Sequence, residues 1–123
     1  MLVGGGVGAD GGILASAEVF DPASGSFSPV GAMTTPQEDV KAVSLLDGRV
    51  VLVCGWTSED RVTAKPVGTS EFYDPSRRSF TAGPSFVAPR SGCGAAQLPD
   101  GGVLVVGGYK GDSDLSSAEA FSP

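Results

Sequence analysis

Three glutamates at regular intervals are the first residues of this chain that could do chemistry. Glu18, Glu71 and Glu119 are separated by 53 and 48 residues, and each lies in a block of similar sequence. Carboxylates can act as general acids, general bases or metal ligands. A group that returns in every repeat is more typical of a scaffold, however. We therefore interpret each glutamate as an acid paired with a basic or backbone donor of the neighbouring repeat.

The other reactive residue types restrict the possible chemistry further. The chain contains no histidine, which removes the commonest general base and the imidazole metal ligand and excludes a Ser-His-Asp triad within it. Cys54 and Cys93 are too few for a metal quartet. We interpret both as small buried strand residues, with a disulfide left open. No catalytic residue, cofactor or metal site is predicted.

A glycine-rich segment offers one further candidate motif. Residues 6–11 satisfy the pattern G-x-G-x-x-G, which binds a dinucleotide only where a helix follows it. Here residues 13–20 continue directly into a glutamate block with strand character, so nucleotide binding is not predicted.

Three repeated blocks divide the chain into four kinds of strand, which we call a, b, c and d. Strand a covers residues 42–46 and 94–98, strand b covers 49–54 and 103–107, the glutamate blocks form strand c, and the Ser-Phe blocks at 25–29 and 78–82 form strand d. The sequences Asp47-Gly48 and Asp100-Gly101 predict tight a-to-b hairpins with primed turns. The continuous apolar b strands should be buried on both faces.

Four-stranded units of about 50 residues that stack on their neighbours are typical of a β-propeller. The chain also resembles the kelch repeat. The resemblance rests on Gly107-Gly108, Glu71-Phe72-Tyr73-Asp74-Pro75, Phe80, Ala32-Met33 and Arg90. It departs from the family at Phe27 and Phe80, where tryptophan is usual, at Cys54-Gly55, and at Gln37, where arginine is usual. The predicted fold class is therefore an all-β, kelch-type β-propeller fragment.

The strands follow one another in the order b-c-d, a-b-c-d, a-b-c, or about two and a half blades. We predict one partial domain over residues 1–123, with blades at about 1–37, 38–90 and 91–123. Because a propeller needs about four to eight blades, this chain should not close alone. We expect either a piece of a longer protein or self-association, for instance of two copies into a six-bladed ring.

Recognition is predicted on one face of the blades. In an up-and-down blade the b-to-c and d-to-a loops emerge on the same face, and the b-to-c loops differ most between repeats. Aromatic and arginine side chains dominate protein interfaces. The candidate binding residues are Trp56, Asp60, Arg61 and Lys65, then Tyr109, Lys110 and Asp112, with Gln37, Glu38 and Arg90 from the d-to-a loops.

Composition and resemblance together set the expected function. With 8 basic and 14 acidic residues the net charge is −6, so nucleic acid is not an expected partner. The lack of a signal sequence or long apolar run leans towards a cytoplasmic, membrane-free protein. The resemblance implies a non-catalytic scaffold that binds a protein partner. The alternatives are a fragment of a kelch-propeller enzyme, either a copper radical oxidase or a sugar isomerase, and a carbohydrate-binding module.

Overall fold

The computed structural model describes residues 1–57 and 65–123, and the secondary structure of these residues is entirely β. Sheet 1 contains β1 (Leu2–Gly4), β2 (Ala17–Asp21) and β3 (Ser26–Pro29). Sheet 2 contains β4 (Lys41–Ser44), β5 (Val50–Val53), β8 (Thr69–Asp74) and β9 (Ser79–Ser85). Sheet 3 contains β10 (Gly94–Gln97), β11 (Val103–Val106) and β12 (Ala118–Phe121). A small ribbon joins β6 (Trp56–Thr57) to β7 (Lys65–Pro66).

Each sheet is an antiparallel meander whose strands are neighbours in the order in which the chain makes them. The series is b-c-d, then a-b-c-d, then a-b-c, and the three sheets do not close into a ring. The predicted fold class, a partial β-propeller, is confirmed. The glycine-rich segment of residues 6–11 is a loop closed by an antiparallel bridge between Val7 and Ile13, with no helix after it.

The a-to-b hairpins form where they were predicted, but their turns are of another type. The Leu45 carbonyl accepts a hydrogen bond from Gly48, and the Leu45 N–H donates to the Arg49 carbonyl, which makes a three-residue loop. Gly48 has a φ of 88°, whereas Asp47 is not among the residues with positive φ. A primed turn needs positive φ at the first central residue, so the prediction of primed turns is wrong. The hairpin instead ends in a glycine bulge.

The strand register fixes which residues are equivalent between sheets. Val3, Leu52 and Val105 lie directly opposite Glu18, Glu71 and Glu119 respectively. The sequence aligns Gly4-Gly5 with Cys54-Gly55, but the register makes Gly5 the equivalent of Cys54, so the first copy of strand b is shifted by one residue. Two residues further on, Gly5, Cys54 and Gly107 share positive φ angles of 71°, 62° and 64°.

Two apolar cores lie between the sheets. The first junction, between sheets 1 and 2, is centred on Ala17, Met33, Leu52, Tyr73 and Phe80. The second junction, between sheets 2 and 3, includes Val43, Val51, Val53, Phe72, Phe86, Val103 and Val105. Burial of each large apolar side chain contributes about 2 kcal/mol, so these junctions hold the sheets together.

Burial on both faces holds only for the middle b strand. In β5 three of the four residues are buried and Val50 is half-buried. In β11 Val103 and Val105 are buried, but Val106 is 47% exposed. The difference arises because sheet 2 has a neighbour on each side, whereas one face of sheet 3 has no sheet against it.

Cys54 and Cys93 form a disulfide bond. The prediction that they are buried is confirmed, with exposures of 0% and 3%. The placement of both in strands is wrong, because each lies just outside a strand. The disulfide, which the sequence left open, joins sheet 2 to sheet 3 across the second junction. Within the described ranges there is also no helix long and apolar enough to cross a bilayer.

Candidate interaction face at the second junction

The d-to-a segments meet the b-to-c loops on one face of the sheets. Glu38 and Trp56 exchange two backbone hydrogen bonds, with N···O distances of 3.0 and 2.9 Å. Ser91 and Tyr109 make the equivalent pair in the next repeat, at 3.0 and 2.9 Å. The prediction that both kinds of loop emerge on the same face is therefore confirmed. Each aromatic residue is held at its backbone by the segment that enters its own sheet.

Trp56 and Tyr109 form an aromatic pair across the second junction. Their ring centroids are 5.9 Å apart with planes tilted by 46°, a separation at which aromatic rings attract one another. Trp56 is half-buried, and Tyr109 is 37% exposed. Cys54 of the disulfide lies two residues before Trp56, and Cys93 lies two residues after Ser91, the backbone partner of Tyr109. The disulfide therefore links covalently the two backbone segments that hold the rings.

An open cavity of about 580 Å³ lies beside this pair. It is lined by Trp56, Ser91, Gly92, Gly108, Tyr109, Asp114 and Leu115. The Tyr109 hydroxyl donates a hydrogen bond to the Gly111 carbonyl at 2.9 Å, which fixes the ring at the rim. Aromatic walls beside one carboxylate and several backbone groups suit a ligand that combines apolar and polar groups.

Charges of both signs lie on the loop that follows Tyr109. The Lys110 ammonium lies 3.4 Å from an Asp112 carboxylate oxygen, and both side chains are largely exposed. The Ser113 hydroxyl, followed by the Lys110 ammonium, holds the pKa of Asp112 below its usual range. Exposed pairs of this kind contribute little to stability, so their charges remain free to meet a partner.

The predicted binding residues fall into three groups. Trp56, Tyr109, Lys110 and Asp112 gather at the second junction, with half-buried Glu38 bonded to Trp56 and exposed Lys65 on the short ribbon. Asp60 and Arg61 lie outside the described residues. Gln37 and Arg90 form the third group, and they do not border the surface.

Gln37 and Arg90 are 1% and 0% exposed, so the prediction that they contact a partner is wrong. The Arg90 guanidinium donates to the carbonyls of Gly107 and Ser117 and pairs with the Glu119 carboxylate. Gln37 occupies the corresponding place in the first junction, where its amide donates to Glu71 at 3.2 Å. Both side chains therefore serve the scaffold.

Glu71 and Glu119 bind the backbone of these d-to-a segments. Glu71 accepts backbone hydrogen bonds from Thr34 and Thr35 at 2.6 and 2.9 Å. Glu119 accepts them from Val87 and Ala88 at 2.7 and 3.1 Å. The interpretation of the repeated carboxylates as acids paired with basic or backbone donors between repeats is confirmed for Glu71 and Glu119, whereas Glu18 has no such partner among residues 1–57 and 65–123.

Sequence reasoning missed Ser91, Asp114 and Leu115, which line the cavity. Asp114 forms an isolated antiparallel bridge with Tyr109, which brings the end of this loop back to its start. The signal was present for Ser91 alone, because it directly follows the repeat position of Arg90 and so had to lie near strand b of the same sheet.

A second cavity, of about 290 Å³, opens on the opposite face beside the a-to-b turns. Its walls include Asp47, Arg49, Asp100 and Gly101. The Arg49 guanidinium lies 2.7 Å from an Asp47 carboxylate oxygen. Asp47 and Asp100 each accept a hydrogen bond from the backbone N–H two residues further along the turn. Because the turn is the same in both repeats, this cavity follows from the scaffold, and the aromatic cavity is the better candidate site.

Comparison with known proteins supports the fold. No family model and no curated protein matches the chain. Among solved structures it is similar to a fungal alcohol oxidase of the AA5 family, in complex with copper, with a TM-score of 0.75 and 20% identity. The match covers 99% of this chain and 28% of the oxidase. At this identity the likeness shows a shared fold, a partial β-propeller.

The residues of this chain do not fit a copper site. Histidine is absent from the sequence, and both cysteine sulfurs are used in the disulfide. In the part of the chain that the structure describes, no three residues of the types His, Cys, Asp and Glu lie together as a possible metal site. No chemical step at copper can therefore be assigned to these residues.

Proposed function

We propose that this chain is part of a non-catalytic, kelch-type propeller scaffold that binds a protein partner through its b-to-c loop face. The observation that carries the proposal is the Trp56–Tyr109 pair, which stands partly exposed over the disulfide-tied junction beside an open cavity. Kelch membership is supported by the repeated Glu-x-aromatic-Asp-Pro block and by the shared propeller fold.

The physical properties of the face suit a protein partner. Tryptophan and tyrosine bury large areas at low conformational cost and dominate interface energies. The mixed charges of Lys110, Asp112 and Glu38 around them form the kind of polar rim that surrounds such anchors. Because the disulfide ties the two loop bases together, little ordering should be needed on binding.

The disulfide also supports a compartment. Disulfides persist in oxidising environments and are rare in the cytosol, so we propose that the protein works in an oxidising compartment. The cytoplasmic location predicted from the sequence stays untested. Titration of free thiols in protein taken from its native source, without reductant, checks this proposal, and two free thiols per chain would contradict it.

A peptide-display library panned on the immobilised chain tests the binding function. We expect the selected peptides to lose about tenfold to a hundredfold in affinity with Trp56→Ala, because loss of an interface anchor costs about 2 kcal/mol or more. Leu46→Ala is the matched control, since Leu46 is a 77% exposed apolar residue at an a-to-b turn on the opposite face. Peptides that bind wild type and Trp56→Ala equally would refute the proposal.

The carbohydrate alternative uses the same variants. A glycan array that gives a signal with wild type and Leu46→Ala but none with Trp56→Ala would move the assignment from protein to carbohydrate. The enzyme alternative rests on the likeness to the copper-bound oxidase. It predicts alcohol oxidation by the chain after incubation with copper, and we expect no activity.

A further inference from the structure

Glu18 occupies the same strand position as the two anchoring glutamates but is not anchored. It lies opposite Val3 in sheet 1, as Glu71 lies opposite Leu52 and Glu119 opposite Val105. The Glu18 side chain is exposed, and no hydrogen bond to it is found within residues 1–57 and 65–123. The same carboxylate therefore accepts hydrogen bonds from a neighbouring segment in sheets 2 and 3 but is exposed, without such bonds among the described residues, in sheet 1.

The hydrogen bonds of Glu71 and Glu119 show what a carboxylate at this position binds. Each accepts two consecutive backbone N–H groups and one side-chain donor, and the donors come from a segment of the form x-x-Pro-Gln or x-x-Pro-Arg. The first segment is residues 34–37 and the second is residues 87–90. In both segments the proline, which has no N–H, stands between the backbone donors and the side-chain donor.

The surface around Glu18 matches the surfaces that receive these segments. Phe20 and Phe27 pair at 4.8 Å, as Tyr73 and Phe80 pair at 5.0 Å within the first junction. Tyr73 and Phe80 are 3% and 8% exposed, whereas Phe27 is 54% exposed. Sheet 1 thus displays an apolar face of the type that is covered in sheet 2.

A cavity of about 400 Å³ lies at Glu18 on this face. It is lined by Val3, Gly4, Gly5, Leu14, Ser16, Ala17, Glu18, Pro29, Val30 and Ala32. The cavity combines one carboxylate with small and apolar walls. These are the requirements of an extended segment that brings an arginine and two backbone donors.

We infer that the Glu18 face is a docking site for the d-to-a segment of another propeller blade, with the sequence x-x-Pro-Arg or x-x-Pro-Gln. Two backbone N–H groups of the segment donate to the Glu18 carboxylate, and its arginine or glutamine side chain makes the third contact. Hydrogen bonds to a charged acceptor are about twice as strong as neutral ones, so Glu18 gives the site its specificity for the segment. The apolar face of sheet 1 packs against the rest of the blade to which the segment belongs.

A synthetic peptide with the sequence of residues 83–92, Gly-Pro-Ser-Phe-Val-Ala-Pro-Arg-Ser-Gly, provides the probe. Titrated with the whole chain, a fluorescein-labelled copy should show saturable anisotropy, and Glu18→Gln should weaken binding about tenfold, as expected for a lost charged hydrogen bond. Asp39→Asn removes one exposed charge elsewhere and should leave binding unchanged. Asparagine tolerates the positive φ of 52° at position 39.

Charge reversal makes the test specific. The variant Glu18→Arg should not bind the natural peptide, because arginine repels the peptide's own arginine and has no acceptor for the two backbone N–H groups. Trp56→Ala should not change the affinity, which separates this site from the loop face. Absence of saturable binding up to about 1 mM peptide, or equal binding by wild type and Glu18→Gln, would overturn the inference. Circular dichroism of each variant confirms that the chain is folded.

Discussion

The first and second junctions use the same carboxylate anchor in different surroundings. At the first junction Glu71 is 1% exposed, and its side-chain donor is the neutral amide of Gln37. At the second junction the Glu119 side chain is 19% exposed, and its donor is the Arg90 guanidinium. A disulfide crosses only the second of these two junctions.

The comparison separates what the fold needs from what each junction adds. Both junctions keep the two backbone N–H donors, so the fold depends on the carboxylate and the path of the backbone. The charged donor and the disulfide occur where the aromatic pair stands. The second junction, which carries the proposed interaction face, is therefore the more strongly linked of the two.

Removal of the disulfide should give the largest loss. The bond spans 39 residues, and chain-entropy estimates for a loop of this size give about 4 kcal/mol. We expect the double variant Cys54→Ala, Cys93→Ala to lose about that much free energy of unfolding in urea titrations. Wild type under reductant is the control and should behave alike. A loss below about 1 kcal/mol would show that the second junction does not depend on its covalent link.

Glu71→Gln should cost about 3 kcal/mol. Thr34 and Thr35 donate to different oxygens of Glu71, and glutamine replaces one of these oxygens with an NH₂ group that cannot accept, so one partly buried N–H loses its acceptor. The matched control is Glu18→Gln, the same change at the equivalent but exposed position, for which we expect less than about 0.5 kcal/mol. Equal losses in chemical denaturation would mean that the anchor does not stabilise the first junction.

Arg90→Gln gives the second junction the same side-chain donor, a glutamine amide, that the first junction has at Gln37. We expect a loss of about 2 kcal/mol, because the carbonyls of Gly107 and Ser117 lose their buried donor while Glu119 keeps its two backbone bonds. Thermal unfolding at matched concentration measures it. An unchanged melting temperature would show that a neutral amide serves both junctions equally well.

Acid should weaken the second junction by the smallest amount. Partial burial acts to raise the pKa of Glu119, but the hydrogen bonds from Val87, Ala88 and Arg90 together outweigh it and hold the pKa below the ordinary 4.5. A carboxylate with a lowered folded pKa contributes stability that is complete above the unfolded pKa and is lost as the pH falls through the folded value.

The stability difference between wild type and Glu119→Gln should therefore shrink between about pH 5 and about pH 3. Measuring this difference cancels the other carboxylates with lowered pKa values, such as Asp21, Asp47 and Asp74, which both proteins share. A difference that stays constant over this range would place the contribution of Glu119 in packing.

Much of the fold could be predicted because the repeat is in phase with the strands. The glutamate blocks gave strand c, and the Asp-Gly pairs gave the hairpin positions. The turn type was missed because a single glycine suits both a primed turn and a bulge. The one-residue shift of β1 was missed because residues 3–6 contain three successive glycines, which fit either phase.

The site was predicted in part, and its errors have a physical cause. Trp56 and Tyr109 were identified because they break the repeat, whereas Gln37 and Arg90 share one repeat position 53 residues apart. Gln37 and Arg90 recur in the repeat as the glutamates do, which is typical of scaffold residues. The disulfide was left open by the sequence, because only the folded topology brings the end of one strand b, at Cys54, next to the start of the following strand a, at Cys93.

Cys54 stands at a backbone position that the other two sheets give to glycine. Its φ of 62° matches 71° at Gly5 and 64° at Gly107, and a side chain in this conformation costs about 1 kcal/mol relative to glycine. The oxidised chain more than offsets this strain through the cross-link. Reduction removes the link and leaves the strain, so the reduced chain should be less stable at this junction than one with glycine at position 54.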